Sequence, residues 1–102
     1  MPLVYSSTPT HYLTADSLPI VENNQKLRES FGAILLKLRK EKGVSQKVVA
    51  DNCNFERVFI THLEKGSKQP TLTTIFKLAE YFEVLPGDML NEAYALLKKP
   101  KN

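Results

Sequence analysis

Residues 45–66, SQKVVADNCNFERVFITHLEKG, form the stretch that decides the fold. They predict two short helices, Gln46–Cys53 and about Glu56–Lys65, joined by a tight turn. Helices that cross steeply bring their backbones close together, so the inner helix needs a small residue, here Ala50. The turn needs a residue that accepts positive φ, here Asn54. Apolar residues that would hold the pair together follow at the required spacing: Val49, Cys53, Phe55, Ile60 and Leu63.

The residues on either side continue the helical pattern. Apolar residues recur every three or four positions over residues 26–43, which predicts a first helix. A fourth helix is capped by Thr71 or Thr73, and a fifth begins at Pro86, a residue suited to the first helical turn. The face of the fourth helix expected to point inward comprises Leu72, Ile75, Phe76, Leu78, Ala79 and Phe82. The sequence thus predicts an all-α, five-helix domain over residues 26–98.

The two ends of the chain have a different composition. Residues 1–25 contain three Pro, many Ser and Thr, and neither Lys nor Arg, which predicts a non-helical, extended arm. The arm is too apolar for a purely solvated tail, so it is expected to dock, either on the last helix of its own chain or, exchanged, on a second copy. Residues 99–102 form a short basic tail.

Composition excludes several classes of protein. The 102 residues are 42% hydrophobic and 25% charged, which is ordinary for a soluble globular domain. No apolar run is long enough to cross a membrane, and nothing at the N-terminus indicates a signal peptide. The one cysteine, Cys53, cannot form an internal disulfide and falls on an apolar period, so it is expected in the core. A cytoplasmic protein is expected.

Charge is distributed unevenly along the chain. Residues 26–68 contain ten Lys and Arg and five Asp and Glu, a net charge of +5. Residues 69–97 contain one Lys and four acidic residues, a net charge of −3. A polyanionic partner that touches one side of the domain would suit this pattern. Charge alone fits two solvated faces with a chance asymmetry equally well.

The residues that catalysis requires do not occur in a recognisable arrangement. His11 and His62 are far apart, and the sequence has no CxxC, no HExxH and no glycine-rich phosphate loop. A metal site formed by Cys53 and His62 is disfavoured because the thiol is expected to face the core. The sequence therefore predicts a protein that is not an enzyme and needs no cofactor.

The residues from Phe31 to Leu90 resemble the helix-turn-helix domain of Xre or Cro-repressor-type transcriptional regulators. The resemblance is carried by LRKEKGVSQ, by the helix pair, by HLEKGSKQPTLTTIFKLAEYF and by PGDML. Two positions depart from the family pattern. Asn54 replaces the usual Gly and is compatible with the turn, whereas Glu56 replaces the usual Ser, Thr or Asp cap. Glu56 places a negative charge near DNA, where it could lower affinity or read a cytosine amine.

The resemblance implies that the third helix enters the major groove of DNA, N-terminus first. With Ile60 and Leu63 facing inward, steps of 100° per residue turn the candidate base contacts outward: Arg57, Val58, Thr61 and His62. Arg57 can present two donors to guanine. The candidate phosphate contacts are Gln46, assigned by the resemblance, and Lys47, Lys65, Ser67, Lys68 and Gln69. The resemblance also assigns a structural ion pair to Arg39 and Glu64.

A single domain of this size selects a genomic site poorly, so we expect a homodimer on palindromic double-stranded DNA. Two-fold symmetry would place the third helices about 34 Å apart. The fifth helix has more apolar residues than a core requires, and the expected dimer interface is Leu85, Met89, Leu90, Tyr94 and Leu97. The small size resembles restriction–modification controller proteins and small phage repressors.

Two other functions fit the sequence. The unusual arm could belong to an antitoxin that binds both its own promoter and a toxin protein. Alternatively, the chain is a protein-interaction module that has kept the fold and lost DNA binding. Only the negative charge of Glu56 favours the second alternative.

Overall fold

The structure, a computed structural model, describes residues 24–98. In chain order the helices are α1 (Asn24–Lys42), α2 (Gln46–Cys53), α3 (Arg57–Lys65), α4 (Leu72–Phe82) and α5 (Pro86–Lys98). The described residues contain no strand, so the predicted all-α, five-helix fold is confirmed.

Helix α1 begins at Asn24, two residues before the boundary predicted at residue 26, so the end of the predicted arm is helical. The rest of the predicted arm and the basic tail lie outside the described residues. The same holds for the prediction that the arm binds a protein partner. Among the residues that the structure does describe, no helix is both long and apolar enough to span a membrane.

The starts of α2 and α4 are stabilised by side-chain caps. Ser45 Oγ accepts a hydrogen bond from the backbone N–H of Val48 at 3.2 Å. Thr71, rather than Thr73, caps α4 by accepting from the N–H of Thr74 at 3.1 Å. Each cap satisfies one of the N–H groups that have no partner in the first turn of a helix, and therefore each fixes where its helix begins.

The turn between α2 and α3 has the predicted geometry. Asn54 adopts the left-handed conformation, with φ 62° and ψ 46°, and its N–H bonds to the carbonyl of Ala50. Glu56 occupies the N-cap of α3 without a side-chain cap bond, as expected for a weak capping residue. A second non-glycine residue with positive φ, Glu83 at the end of α4, was not foreseen.

The core is formed where α1, α2 and α3 meet α4 and α5. Its largest fully buried side chains are Leu35, Val49, Ile60, Leu63, Leu78 and Met89. The residues predicted to join α2 and α3 are buried, except for Phe55, which is half-buried against the core. The structure therefore places the interior face of the helix pair as the sequence predicted.

Three predictions about apolar residues are wrong. Leu72 and Phe76 were expected to face inward, but they are 67% and 55% exposed. The apolar residues of α4 form one broad face, and the core covers only the part that carries Leu78 and Ala79, which leaves Leu72 at the N-terminal end and Phe76 at the edge. Met89 was expected at a dimer interface, but it is only 1% exposed because it packs into the core of its own chain.

Candidate nucleic-acid interface

Helix α3 has a polar outer face and an apolar inner face. Ile60 and Leu63 are fully buried, whereas Arg57 and Val58 at the N-terminal end are exposed. The remaining two candidate base contacts, Thr61 and His62, are half-buried. All four therefore lie on the side of α3 away from the core, and the exposure is greatest at its first turn.

The side chain of Gln46 connects the start of α2 to the outer face of α3. Its Oε1 accepts from the hydroxyl of Thr61 at 2.6 Å and from Nη1 of Arg57 at 3.5 Å. Its Nε2 donates to Oε1 of Glu64 at 2.9 Å. Both ends of the Gln46 amide are thus occupied within the protein. Sequence reasoning gave this side chain a phosphate contact and missed its contacts to α3.

Glu64 is held by Arg39 in a nearly buried ion pair. Arg39 Nε lies 2.6 Å from Glu64 Oε2, and Nη2 lies 3.1 Å from Oε1, a two-point contact. The hydrogen bond to Glu64 raises the pKa of the guanidinium above its ordinary value. A third donor, Nη1, bonds to the carbonyl of Val44 at 3.0 Å. The two residues assigned to a structural pair therefore join α1 to α3.

Helix α1 also lies against the backbone of α3. A Cβ at Gly32 would overlap the carbonyl oxygens of Leu63 and Glu64, so only glycine permits this approach. At the end of α3, Arg28 Nε donates to the carbonyl of Gly66 at 2.8 Å. Sequence reasoning assigned neither role. The signal for Gly32 was available, because a glycine inside a helical pattern often marks close packing of backbones.

The residues that follow α3 form an exposed polar loop. Ser67 Oγ lies 3.3 Å from Nδ1 of His62, so one ring nitrogen is occupied by an intramolecular contact. Lys65, Lys68 and Gln69 are exposed. These four candidate phosphate contacts therefore lie together, at the C-terminal end of α3 and in the loop beyond it.

Lys47, the candidate phosphate contact on α2, has a partner on its own helix. Its Nζ lies 2.8 Å from Oδ2 of Asp51, and both side chains are largely exposed. An exposed pair of this kind is weak, so it restrains the Lys47 side chain little. Cys53, at the other end of α2, is buried, and burial raises the pKa of its thiol.

Sequence comparison identifies relatives of this domain. A family model described as helix-turn-helix matches residues 35–88. An uncharacterized HTH-type transcriptional regulator, y4dJ of Sinorhizobium fredii (strain NBRC 101917 / NGR234), is 33% identical over 54 residues, covering 53% of this chain and 70% of the relative. The control protein C.BamHI of Bacillus amyloliquefaciens is 30% identical over 66 residues, covering 64% of this chain and 82% of the relative.

Solved structures show the same architecture. Two crystal structures of the clp gene regulator ClgR from Corynebacterium glutamicum align with TM-scores of 0.67 and 0.68, at 27% and 26% identity. The alignments cover 70% and 72% of this chain and 76% and 96% of the ClgR chains. The matched residues include the helix pair α2–α3 and the start of α5. The chain belongs to the Xre-type helix-turn-helix family of DNA-binding transcriptional regulators.

Proposed function

We propose that this protein binds a palindromic operator as a homodimer, with α3 of each copy in a major groove, and thereby regulates transcription. The observation that carries the proposal is the outer face of α3. It presents an exposed guanidinium and an exposed methyl-bearing side chain on a helix whose other side is fixed to the core. Base edges in the major groove are read by such groups.

The four candidate base contacts have different roles in this proposal. Arg57 donates to guanine O6 and N7. The contact between its Nη1 and Gln46 Oε1 limits the orientations of the guanidinium. Val58, 51% exposed, contacts a thymine methyl. The hydroxyl of Thr61 is occupied by Gln46, so Thr61 contributes its methyl group. His62 uses Nε2 for a base or a phosphate, because Nδ1 already lies beside Ser67.

The phosphate contacts in this proposal lie on either side of α3. Lys65, Ser67, Lys68 and Gln69 hold the backbone beyond the C-terminus of α3, and Lys47 holds it from α2. Because the Gln46 amide is used inside the protein, the contact at the start of α2 is proposed to come mainly from its backbone N–H groups. These contacts position the domain on DNA without specifying a sequence.

The homodimer is proposed because one domain of this size reads too few base pairs to select a site. Exposed apolar residues on and before α5 provide surface for a second copy. Leu85, Leu90 and Tyr94 are 67%, 43% and 52% exposed, and Leu97 is half-buried. Two-fold symmetry would then relate two α3 helices and two half-sites.

Selection of bound sites from random duplex DNA tests the function, its symmetry and its spacing together. The expected result is an enriched inverted repeat with half-site centres about one helical turn apart. Arg57→Ala, selected in parallel, should lose preference at one position in each half-site. If no sequence is enriched, and random DNA is not bound even at low salt, the operator proposal is excluded.

A further inference from the structure

Helices α4 and α5 contribute residues to two apolar surfaces. The first, which we name the α4 ridge, consists of the exposed side chains of Leu72 and Phe76 with Pro86, and it borders a wide, open depression. Leu72 and Phe76 are four residues apart on one face of α4, and both are more than half exposed. Contact of an exposed apolar surface with water is unfavourable, so the free energy falls when another surface covers the ridge.

The second surface, the α5 groove, is a half-open cavity of about 300 Å³. Its apolar walls include Leu27 and Phe31 of α1, Ile75 of α4, and Leu90, Tyr94 and Leu97 of α5. The groove and the ridge are direct neighbours in the chain. Ile75 of the groove precedes Phe76 of the ridge, and Leu90 of the groove lies one helical turn after Pro86 of the ridge.

We propose that a second copy of this chain covers both surfaces at once, with Phe76 of each copy inserted into the α5 groove of the other. The inference rests on the proposed homodimer and names its interface. In a two-fold dimer, any contact from ridge to groove occurs twice, because residue i of one copy meets residue j of the other and the reverse. Each chain thus provides both the ridge that inserts and the groove that receives it.

Charge favours a second copy over an unrelated apolar partner. Glu80 lies one turn after Phe76, is exposed and flanks the ridge. Arg28 is part of the groove wall. Insertion of the ridge therefore brings a carboxylate of one copy towards a guanidinium of the other. The other charge on the ridge, Lys77, is directed to the ring of Phe55, with Nζ 5.1 Å from the ring centroid.

The same contact connects assembly to DNA binding. Gln69 and Pro70, in the loop that follows α3, form part of the groove wall. A ridge seated in the groove touches this loop, and the loop carries candidate phosphate contacts. The interface therefore restrains the orientation of α3 as well as its distance from the α3 of the second copy.

Analytical ultracentrifugation without DNA tests the ridge. Phe76→Ser should weaken the dimer by about tenfold or more, since a central aromatic anchor is removed. The matched control is Val58→Ser, because Val58 is 51% exposed and Phe76 is 55% exposed, but Val58 lies on α3. The control should leave the dimer unchanged. Equal dimer affinities for wild type and Phe76→Ser would overturn the proposal.

Disulfide cross-linking distinguishes this interface from symmetric alternatives. The double variant Phe76→Cys with Tyr94→Cys should give a covalent dimer on oxidation, while each single variant and the wild type, with its buried Cys53, should not. A covalent dimer from Tyr94→Cys alone would show α5 packed on α5 and would overturn the insertion. Cross-linking by Phe76→Cys alone, or a bridge within one chain, would overturn it as well.

The two proposals fail in different ways. A wild type that stays monomeric at all concentrations, with and without DNA, removes the homodimer and this interface together. A wild type that dimerises and selects an inverted repeat, but shows neither the Phe76 effect nor the expected cross-link, removes only the insertion of the ridge.

Discussion

Helices α3 and α4 differ in how much of their apolar surface the core covers. On α3, the large apolar residues Ile60 and Leu63 are fully buried, and the outer face is mostly polar. On α4, Leu72 and Phe76 are exposed, while a polar residue, Thr74, is buried. Both helices are short and follow a residue in extended conformation, so their lengths and starts do not explain the difference.

The difference shows that the two outer surfaces suit different partners. A polar face can exchange water for base edges and phosphates at little loss, because each hydrogen bond to water is replaced by one to DNA. An apolar face gains only when it leaves water, which favours a protein surface. The restraints on the inner sides differ too, since α3 is attached to α1 by an ion pair and by direct backbone contact.

The largest expected effect comes from removing the charge that holds α3. Glu64→Ala should lower the free energy of unfolding by about 3–5 kcal/mol, because it leaves Arg39 nearly buried without its counterion. The side chains of Arg39 and Glu64 are 14% and 7% exposed. Urea denaturation at neutral pH measures the change.

The matched control for Glu64 is the ion pair between α1 and α5. Lys37 and Glu92 lie at a similar distance, 2.8 Å, but their side chains are 52% and 44% exposed. Glu92→Ala should therefore change stability little, because water screens an exposed pair. Similar losses for the two variants would contradict the view that burial makes the Arg39 pair important.

The next effect concerns the contact between the backbones of α1 and α3. Gly32→Ala should destabilise the protein by about 1–3 kcal/mol, because the new methyl group meets carbonyl oxygens that cannot move without shifting α3. Gly87→Ala is the control, since a Cβ at Gly87 meets no atom within 4 Å. That change should be neutral or stabilising, as alanine favours helix. Thermal denaturation of both variants tests the contrast.

The helix pair was predictable because its determinants are local. Asn54 and Ala50 belong to one turn, and their required conformations follow from residue type alone. The inner face of α3 was predictable as well, since a single face of that helix is apolar and the helical period leaves one solution. Local signals of this kind need no knowledge of distant parts of the chain.

The outer face of α4 was not predictable from its own residues. Leu72, Phe76 and Leu78 all fall within one broad apolar face, and the helical period does not say how much of that face the core covers. The contacts of Gln46 were missed for another reason. Its three partners are 11 to 18 residues away, and only the packing of α2 on α3 brings them within hydrogen-bond distance.

An effect of about the same size, visible only with DNA, compares the outer face of α3 with the loop beyond it. Arg57→Ala should lose about 1–3 kcal/mol of discrimination at one base pair of each half-site. Lys68→Ala should weaken binding to all sequences alike and reduce the dependence of affinity on salt. Competition titrations with operator and single-substituted operators, at two salt concentrations, separate these outcomes. Uniform weakening by Arg57→Ala would contradict its assignment to a base.

The smallest expected effect is on the ridge of α4. Leu72→Ala should change the free energy of unfolding of the monomer by no more than about 0.5 kcal/mol, because the side chain is 67% exposed and removing it leaves no cavity. Leu78→Ala, six residues along the same helix, should cost about 2–5 kcal/mol, because Leu78 is fully buried. Urea denaturation at a protein concentration low enough to dissociate any dimer isolates the monomer.

At higher protein concentration, the wild type should gain stability, since a dimer stabilises the folded state by mass action. Leu72→Ala should lose part of that gain. A concentration-independent loss for Leu72→Ala would instead mean that the ridge packs within its own chain, and the contrast between the outer faces of α3 and α4 would no longer hold.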